Sequence, residues 1–299
     1  MFVIFTPFSY LFLTVYSLVL IFMFTLSNFY LFWVYIEIAI LLFIGLSYTI
    51  FLHRYTQLML YFLIQTLASF GILVFYTLDY RYLLYFSLFL KLGMFPFMSW
   101  YLNVLYRFPS FILLIRRTLH KLPPLFLFYL FYSSRFRRFV LVSALFSLIV
   151  GGFYMLSILD LRYLIVVSSM ANNSFLLLGI ISGKFIRFFF FFVLYFFNML
   201  FLLLTFQRVF KPLVYSSRRK ASLVLLRLVL LLNIAALPPI PMFIAKFIVI
   251  YDYLLVNPLS LSFLVLLVLC NVAIMARYCQ IFMKFVTQLY TNVSSYLLY

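Results

Sequence analysis

Histidine and cysteine are scarce in this sequence. Its two histidines, His53 and His120, cannot supply the four haem ligands of a cytochrome b, and its two cysteines, Cys270 and Cys279, lack the spacing of a metal or iron–sulfur site. Glycine is also rare, and no glycine-rich dinucleotide loop is present. We therefore expect this chain to bind no haem, cluster or nicotinamide, and we interpret the cysteines as buried thiols.

Acidic residues are few: four Asp and Glu stand against 22 Lys and Arg, which gives a formal net charge of +18. In a soluble protein this excess would suggest nucleic acid binding. Here the basic residues mark the breaks between apolar runs, as in Arg135–Arg138 and Arg218–Lys220. Basic side chains at such positions anchor helix ends at lipid headgroups. We therefore expect a lipid bilayer and no nucleic acid as a partner.

Long hydrophobic runs make up most of the sequence. Hydrophobic residues make up 69% of the chain, and the mean hydropathy is +1.24. A spanning helix needs about 20 apolar residues, and runs of that length recur along nearly the whole sequence. The run 188–206 is apolar on every side, whereas a transmembrane barrel strand alternates apolar and polar residues. The sequence predicts an all-α, polytopic integral membrane protein.

We predict about ten transmembrane helices, joined by short connections in one domain that covers residues 1–299. The predicted spans are 8–26, 29–52, 58–78, 83–106, 110–133, 139–158, 163–182, 186–208, 222–254 and 259–284. No segment is polar and long enough for a separate soluble domain. Partners are therefore expected to meet the chain largely inside the bilayer.

The two ends of the sequence support a membrane product without a leader. The N-terminus has no basic region, cleavage site or Arg-rich transit segment, so it is interpreted as part of the first helix. The excess of Phe, Leu, Tyr and Val is typical of an organelle-encoded product. Residues 285–299 are too polar to span a membrane, and we expect them at its interface.

Prolines interrupt two of the predicted helices, at Pro123-Pro124 and at Pro238–Pro241. Proline has no backbone N–H, so carbonyl groups at such a break need other partners. In a membrane these partners are neighbouring helices, side chains or enclosed water, and a break therefore usually lines a cavity. Lys121 precedes the first break and Lys246 follows the second. Both ammonium groups are predicted to lie beside loosened backbone.

Two more ionisable residues, Glu37 and Lys91, stand in comparably apolar runs. A lysine near a helix end can reach the headgroups, but these two residues lie several positions from either polar boundary, so we expect them to pair. Burial disfavours the charged forms of both groups, which favours proton exchange. A non-transporting membrane scaffold is the alternative. It predicts that each buried lysine pairs with one acid, but the sequence has only four acids and several buried lysines.

Four segments resemble one family in order and content: Trp33–Glu37, Lys91–Trp100, Thr118–Pro124 and Leu237–Lys246. The second, Lys-Leu-Gly-Met-Phe-Pro-Phe-Met-Ser-Trp, is the most specific, because it is similar to that family's Lys-Leu-Gly-x-x-Pro-Phe-x-x-Trp motif. The resemblance runs along most of the chain. The family is the antiporter-like, proton-pumping subunits of respiratory complex I, NADH:ubiquinone oxidoreductase, and the match is to the mitochondrially encoded subunit 2.

The resemblance implies an antiporter-like fold and a proton-translocating function in the mitochondrial inner membrane. It implies that Glu37 and Lys91 form an input ion pair, that Lys121 is the central relay and that Lys246 is the terminal proton site. NADH, FMN, iron–sulfur clusters and ubiquinone would belong to partner subunits of the complex. His120 is an auxiliary candidate for the relay, and a hydrogen bond from His120 to a nearby carbonyl is the alternative.

The sequence departs from the family at several positions. Asn172 stands where relatives often have a histidine, which puts a titratable step there in doubt. Met98 replaces a frequent histidine, Leu102-Asn103 stands where Pro-Glu is common, and Met242 occupies a usual glycine. A stand-alone proton or cation antiporter without a redox partner is the second hypothesis, since it would use the same broken helices and lysines.

Overall fold

The computed structural model describes residues 7–50, 55–157, 161–206, 229–256 and 261–297, apart from positions 231 and 239. Within these ranges every regular element is helical and no strand occurs, so the all-α prediction is confirmed. The α-helices are α1 (Pro7–Met23), α2 (Phe29–Ile50), α3 (Tyr55–Thr77), α4 (Arg81–Leu92), α5 (Met98–Leu105), α6 (Ser110–Arg117), α7 (Leu122–Phe131), α8 (Arg137–Ser157), α9 (Leu161–Ile181), α10 (Phe185–Phe206), α11 (Pro241–Val256) and α12 (Leu261–Leu297). Two 3-10 turns, Leu119–Lys121 and Ser134–Phe136, precede α7 and α8.

Five described helical stretches are long and apolar enough to cross a membrane. They are Phe29–Ile50, Thr56–Thr77, Ser134–Leu156, Tyr163–Ile181 and Val265–Met283. The apolar helices Pro7–Met23 and Phe185–Phe201 are shorter. These helices expose many Phe, Leu and Ile side chains, as a lipid-facing surface requires.

The predicted single helix 83–106 is wrong, because the chain forms α4 and α5 with an interruption between them. Gly93 ends α4 in the left-handed conformation, with φ at 69°, and its N–H bonds to the carbonyl of Leu90. A left-handed glycine at this position is a common helix terminator. Pro96 then follows in the interruption, and proline favours a stop over a continued helix.

The two predicted proline interruptions occur with different geometry. Pro123 and Pro124 lie in the first turn of α7, where a missing N–H has no cost, so the break itself is the 3-10 turn before them. Helix α11 begins at Pro241, and the described residues just before it, Ala236–Pro238 and Ile240, are not helical. Across this second break the Met242 N–H donates to the Asn233 side chain at 3.3 Å, which supplies a bond that the broken helix lacks.

The described contacts group the chain into two compact units, Met1–Ser143 and Ala144–Tyr299. In the first unit α1 packs on α2, α2 on α3 and α3 on α4. In the second unit α9, α10 and α11 pack against one another, and α9 is buried from residue 164 to residue 181. The prediction of one domain over residues 1–299 stays a prediction.

Several sequence predictions fall on other parts of the chain. His53, Asp160 and the basic segment 208–220 lie outside the described residues. Residues 285–297, predicted as a tail at the interface, continue α12 as helix. Cys270 and Cys279 are free and half-buried.

Candidate functional site

Lys91 lies in the last turn of α4, one residue before the helix ends at Leu92. Its side chain is 2% exposed, and its Nζ has no hydrogen-bond partner among the described residues. Gly93 follows as the cap of the helix, and a Cβ added to it would lie 2.3 Å from the ring of Tyr101. Only glycine allows both the left-handed backbone and this close approach. The sequence therefore fixes Lys91 at a helix end in the interior, where a lone ammonium is costly.

Arg116, in the last turn of α6, is a fully buried cation next to Lys91. Its Nη2 donates to the main-chain carbonyl of Lys91 at 2.8 Å, and Gln65 Nε2 donates to the same oxygen at 3.4 Å. That carbonyl is one of the last four of α4, which lack partners in the helix and carry its negative dipole end. The guanidinium also lies 5.3 Å from the centroid of the Tyr61 ring. Arg116, on α6, therefore supplies a hydrogen-bond donor to the C-terminal end of α4.

Glu37 lies half-buried on α2. It makes no ion pair within 4.0 Å among the described residues, so the predicted pairing with Lys91 is not a direct salt bridge. The Glu37 carboxylate still acts electrostatically on the Lys91 ammonium, and the Arg116 guanidinium acts on it with the opposite sign. Glu37 and Lys91 are thus coupled through space. Their role as the input of a relay stays a prediction.

The 3-10 turn between α6 and α7 holds Lys121 and His120, both of which are buried. The Lys121 ammonium lies 5.5 Å from the centroid of the Tyr101 ring, a distance at which a ring face attracts a cation. His120 Nδ1 shares a 2.9 Å hydrogen bond with the hydroxyl of Tyr16. Among the described residues the His120 ring is therefore bonded to a phenol on α1, and no bond to the nearby carbonyl considered as the alternative is present.

Three helices of the second unit converge on Lys246, which lies in α11 and is 2% exposed. Its Nζ donates to the Asn271 side-chain oxygen on α12 at 3.0 Å. The ring of Phe175, on the buried helix α9, has its centroid 4.9 Å from the same atom. Among the described residues Lys246 makes no ion pair. Its ammonium is thus held by an amide dipole and a ring face, and not by a counter-ion.

Asp252 lies six residues after Lys246 on α11 and is 1% exposed. Its Oδ1 accepts from Lys184 Nζ at 2.9 Å and from Arg187, while Oδ2 has no described partner. Both cations lie around the start of α10 and are about two-fifths exposed. This ion-pair cluster ties the start of α10 to the later part of α11.

The structure brings four predicted site residues into the first unit and places Lys246 in the second. The four are Glu37, Lys91, His120 and Lys121. Each of the three lysines is buried at or near a helix interruption; the sequence indicated this for Lys121 and Lys246, whereas Lys91 was predicted within a continuous helix. A continuous relay from Lys121 to Lys246 stays a prediction.

Sequence analysis missed three partners of these residues. Arg116 was not singled out, although its position four residues before His120 in an apolar run was a signal for burial. Asn271 and Tyr16 gave no signal, because each meets its partner from a distant part of the chain.

The family departures lie mostly in the interior. Asn172 is 2% exposed on α9, and its Nδ2 has no described partner. Met98 and Leu102 are buried on α5, while the neighbouring Asn103 is exposed. An amide at position 172 can donate and accept hydrogen bonds but cannot exchange a proton as a histidine does.

Comparison with known proteins gives consistent matches. A family described as NADH:quinone oxidoreductase/Mrp antiporter, transmembrane, matches residues 77–274. NADH-ubiquinone oxidoreductase chain 2 of Sylvisorex johnstoni is 29% identical over 173 residues, which are 57% of this chain and 50% of that protein. The match thus spans half the length of the curated relative.

Solved structures share the fold. A chain of respiratory complex I from Thermus thermophilus with bound aureothin has a TM-score of 0.80 at 19% identity, covering 90% of this chain and 68% of that chain. The same complex with bound NADH gives a TM-score of 0.74 at 18% identity, with coverage of 92% and 68%. A chain of the Mrp complex from Dietzia sp. DQ12-45-1b gives 0.69 at 14% identity, with coverage of 84% and 55%.

The antiporter-like fold is therefore confirmed. The family match also covers well over half of the chain, including Lys91, Lys121 and Lys246. This chain belongs to the NADH:quinone oxidoreductase/Mrp antiporter transmembrane family.

Proposed function

We propose that this chain is a proton-translocating membrane-arm subunit of NADH:ubiquinone oxidoreductase, respiratory complex I, of the subunit 2 type. One observation carries the proposal: Lys91 and Lys246 are buried in an apolar helical body without an ion pair among the described residues. A structural lysine at such depth normally pairs with an acid. A lysine that takes up and releases a proton gains from the absence of a tight counter-ion.

The proposed mechanism needs only electrostatics from this chain. Charge that changes at Glu37 and Lys91 alters the free energy of protonating Lys121, because Coulomb interactions are strong where the effective dielectric constant is low. Lys121 in turn acts on the terminal site, Lys246, whose proton is released from the membrane. His120 assists the central step. Each lysine lies at or near a helix interruption, where loosened backbone and enclosed water lower the cost of its charge.

The oxidation chemistry is assigned to other subunits. NADH, FMN, the iron–sulfur clusters and ubiquinone are held by partners, and this chain contributes to the enzyme as a core pumping subunit of an H⁺-translocating NADH:ubiquinone reductase. We place it in the mitochondrial inner membrane as an organelle-encoded, multi-pass subunit of a hetero-oligomer. Its remaining exposed apolar surface contacts lipid and the other membrane-arm subunits.

The alternative function is a stand-alone proton or cation antiporter without a redox partner. The similarity to a chain of an Mrp complex supports keeping it. Both functions would use the same lysines and the same interruptions, so the site alone does not separate them. The presence of a redox partner does.

Native electrophoresis after mild detergent extraction tests the proposal directly. We expect the chain to comigrate with NADH-oxidising activity, and we expect the purified complex, reconstituted in vesicles, to move protons when NADH and a quinone are added. Migration apart from that activity, combined with cation-driven proton exchange in vesicles, would establish the antiporter instead.

A further inference from the structure

Arg116 is a buried charge that the proposed relay does not use. Its side chain is 0% exposed, and its Nε and Nη1 have no hydrogen-bond partner among the described residues. A guanidinium keeps its charge under all physiological conditions. The one described acid that acts on this neighbourhood is Glu37, which is half-buried and makes no direct contact with Lys91. A buried cation without an ion pair is costly, so we expect Arg116 to have a function that requires its charge.

Capping the end of α4 does not by itself require this charge. The carbonyl of Lys91 also receives an amide donor from Gln65, and a neutral side chain at position 116 with an N–H group can serve the same acceptor. The charge at Arg116 is therefore separable from the hydrogen bond that it makes.

Several buried titratable groups of the first unit feel the charge of Arg116. Its guanidinium acts electrostatically on Lys91 of α4, on His120 and Lys121 of the 3-10 turn, and on the phenols of two neighbouring helices. The titratable and charged groups that face this region are Tyr16 (α1), Glu37 (α2), Tyr61 (α3), Lys91 (α4), Tyr101 (α5), Arg117 (α6), His120 and Lys121 (3-10 turn). Arg116 is thus a fixed charge between two proposed proton sites.

We propose that Arg116 is a positioning residue of the relay, whose fixed charge keeps Lys91 and Lys121 from holding protons at the same time. The inference rests on the proposed function. Like charges in the interior repel strongly, so a third permanent cation makes the doubly protonated state of the two lysines unfavourable. The repulsion between the two ammonium groups adds to this cost, so a proton on one lysine favours release from the other. The hydrogen bond to the Lys91 carbonyl holds the guanidinium where it acts on both lysines.

The test uses the assembled complex in vesicles, driven by NADH, with proton pumping measured over a series of pH values. Arg116→Gln keeps an N–H donor and removes the charge, while Arg116→Lys replaces the permanent charge with an ammonium that can lose its proton, as buried lysines do. Arg138→Gln removes an exposed charge from α8 and is the matched control. We expect the alkaline limit of pumping to move to higher pH by about one unit in R116Q, because a positive neighbour no longer opposes protonation. R138Q should keep the native profile, and R116K should shift in the same direction as R116Q by no more than that variant.

The results separate this inference from the function on which it rests. Loss of NADH-driven pumping in the native complex would reject the proposed function. Native pumping with an unshifted profile in R116Q would overturn the role of Arg116 alone. If R116Q fails to assemble while R116K assembles, an alkaline limit of pumping that moves to higher pH in R116K supports the proposal, because the lysine loses the charge that the arginine keeps. A native or lower alkaline limit in that assembled R116K would overturn it.

Discussion

Lys246 donates a 3.0 Å hydrogen bond from its ammonium to the side-chain oxygen of Asn271, and both residues are buried. An amide accepts this bond without carrying a charge. The lysine can therefore lose its proton without leaving an unpaired carboxylate in the interior. A carboxylate at the same place would hold the proton with a Coulomb attraction on the order of 4 kcal/mol at 4 Å, which would oppose its release. A neutral partner suits a site that must be protonated and deprotonated in turn.

Replacing Lys246 with Met tests the terminal site. Methionine keeps similar length and volume, so we expect the complex to assemble in normal amounts. Pumping per NADH oxidised should fall at least tenfold, equivalent to about 1.4 kcal/mol, because a methionine side chain cannot bind a proton at this position. Vesicle acidification and native gel abundance measure the two effects. Ile244→Met, on the exposed face of the same helix, is the control. Failed assembly with normal pumping by the residual complex would make Lys246 structural.

Replacing Lys91 with Met, or Glu37 with Ala, tests the proposed input pair. The Lys91 Nζ has no described partner, so its removal leaves no acceptor unsatisfied and the complex should remain abundant. Coupled turnover should fall severalfold in both variants, because each removes a charge that acts on the other. Ser87→Ala, on the buried face of the same helix, removes only a bond to the helix's own Leu84 carbonyl and should pump normally. Native stoichiometry in the Lys91 and Glu37 variants would remove their role.

Gly93→Ala tests the glycine that ends α4. An alanine there meets the left-handed backbone, which costs about 1 kcal/mol, and its Cβ meets the Tyr101 ring, which adds about 1–3 kcal/mol of overpacking. We expect a lower midpoint of thermal dissociation in detergent. Gly183→Ala is a matched control, since φ is +71° but nothing lies within 4 Å of its Cβ. Equal effects of the two substitutions would show that the close approach to Tyr101 is unimportant.

Tyr16→Phe tests the contact between α1 and the 3-10 turn. The substitution removes the hydroxyl that bonds His120 and keeps the stacked ring, so we expect a loss of about 0.5–1.5 kcal/mol in stability. If His120 assists the relay, the pumping rate should fall as well, since the imidazole loses its fixed orientation. Tyr80→Phe, at an exposed position, should change neither quantity. Reduced stability with native pumping would leave His120 a packing residue.

Composition and hydropathy were sufficient to predict the class of this protein. Apolar runs of spanning length fixed the helices α1 to α3 and α8 to α10 within a few residues, because burial in lipid depends on the length and polarity of a segment and on little else. The buried lysines were also predictable, since an ionisable residue in such a run stands out without any knowledge of its neighbours.

The interruption at Gly93 and the partners of the lysines were not predictable in the same way. A glycine in an apolar run is compatible with a continuous helix, and only the structure shows the left-handed backbone of Gly93 and the close approach of Tyr101 that requires a glycine there. The burial of Arg116 was not predicted, because side-chain depth depends on tertiary packing, which periodicity does not report. Asn271 meets Lys246 across 25 positions of sequence.

The buried carboxylate of Asp252 has a mechanical consequence for α11. Asp252 forms ion pairs with Lys184 and Arg187, around the start of α10. Along the axis of α11, Asp252 lies about 9 Å from Lys246. At the opposite end, α11 begins at Pro241, and the Met242 N–H donates to the side-chain oxygen of Asn233. When the charge on Lys246 changes, we expect α11 to stay in place at Asp252 and to move at its Pro241 end.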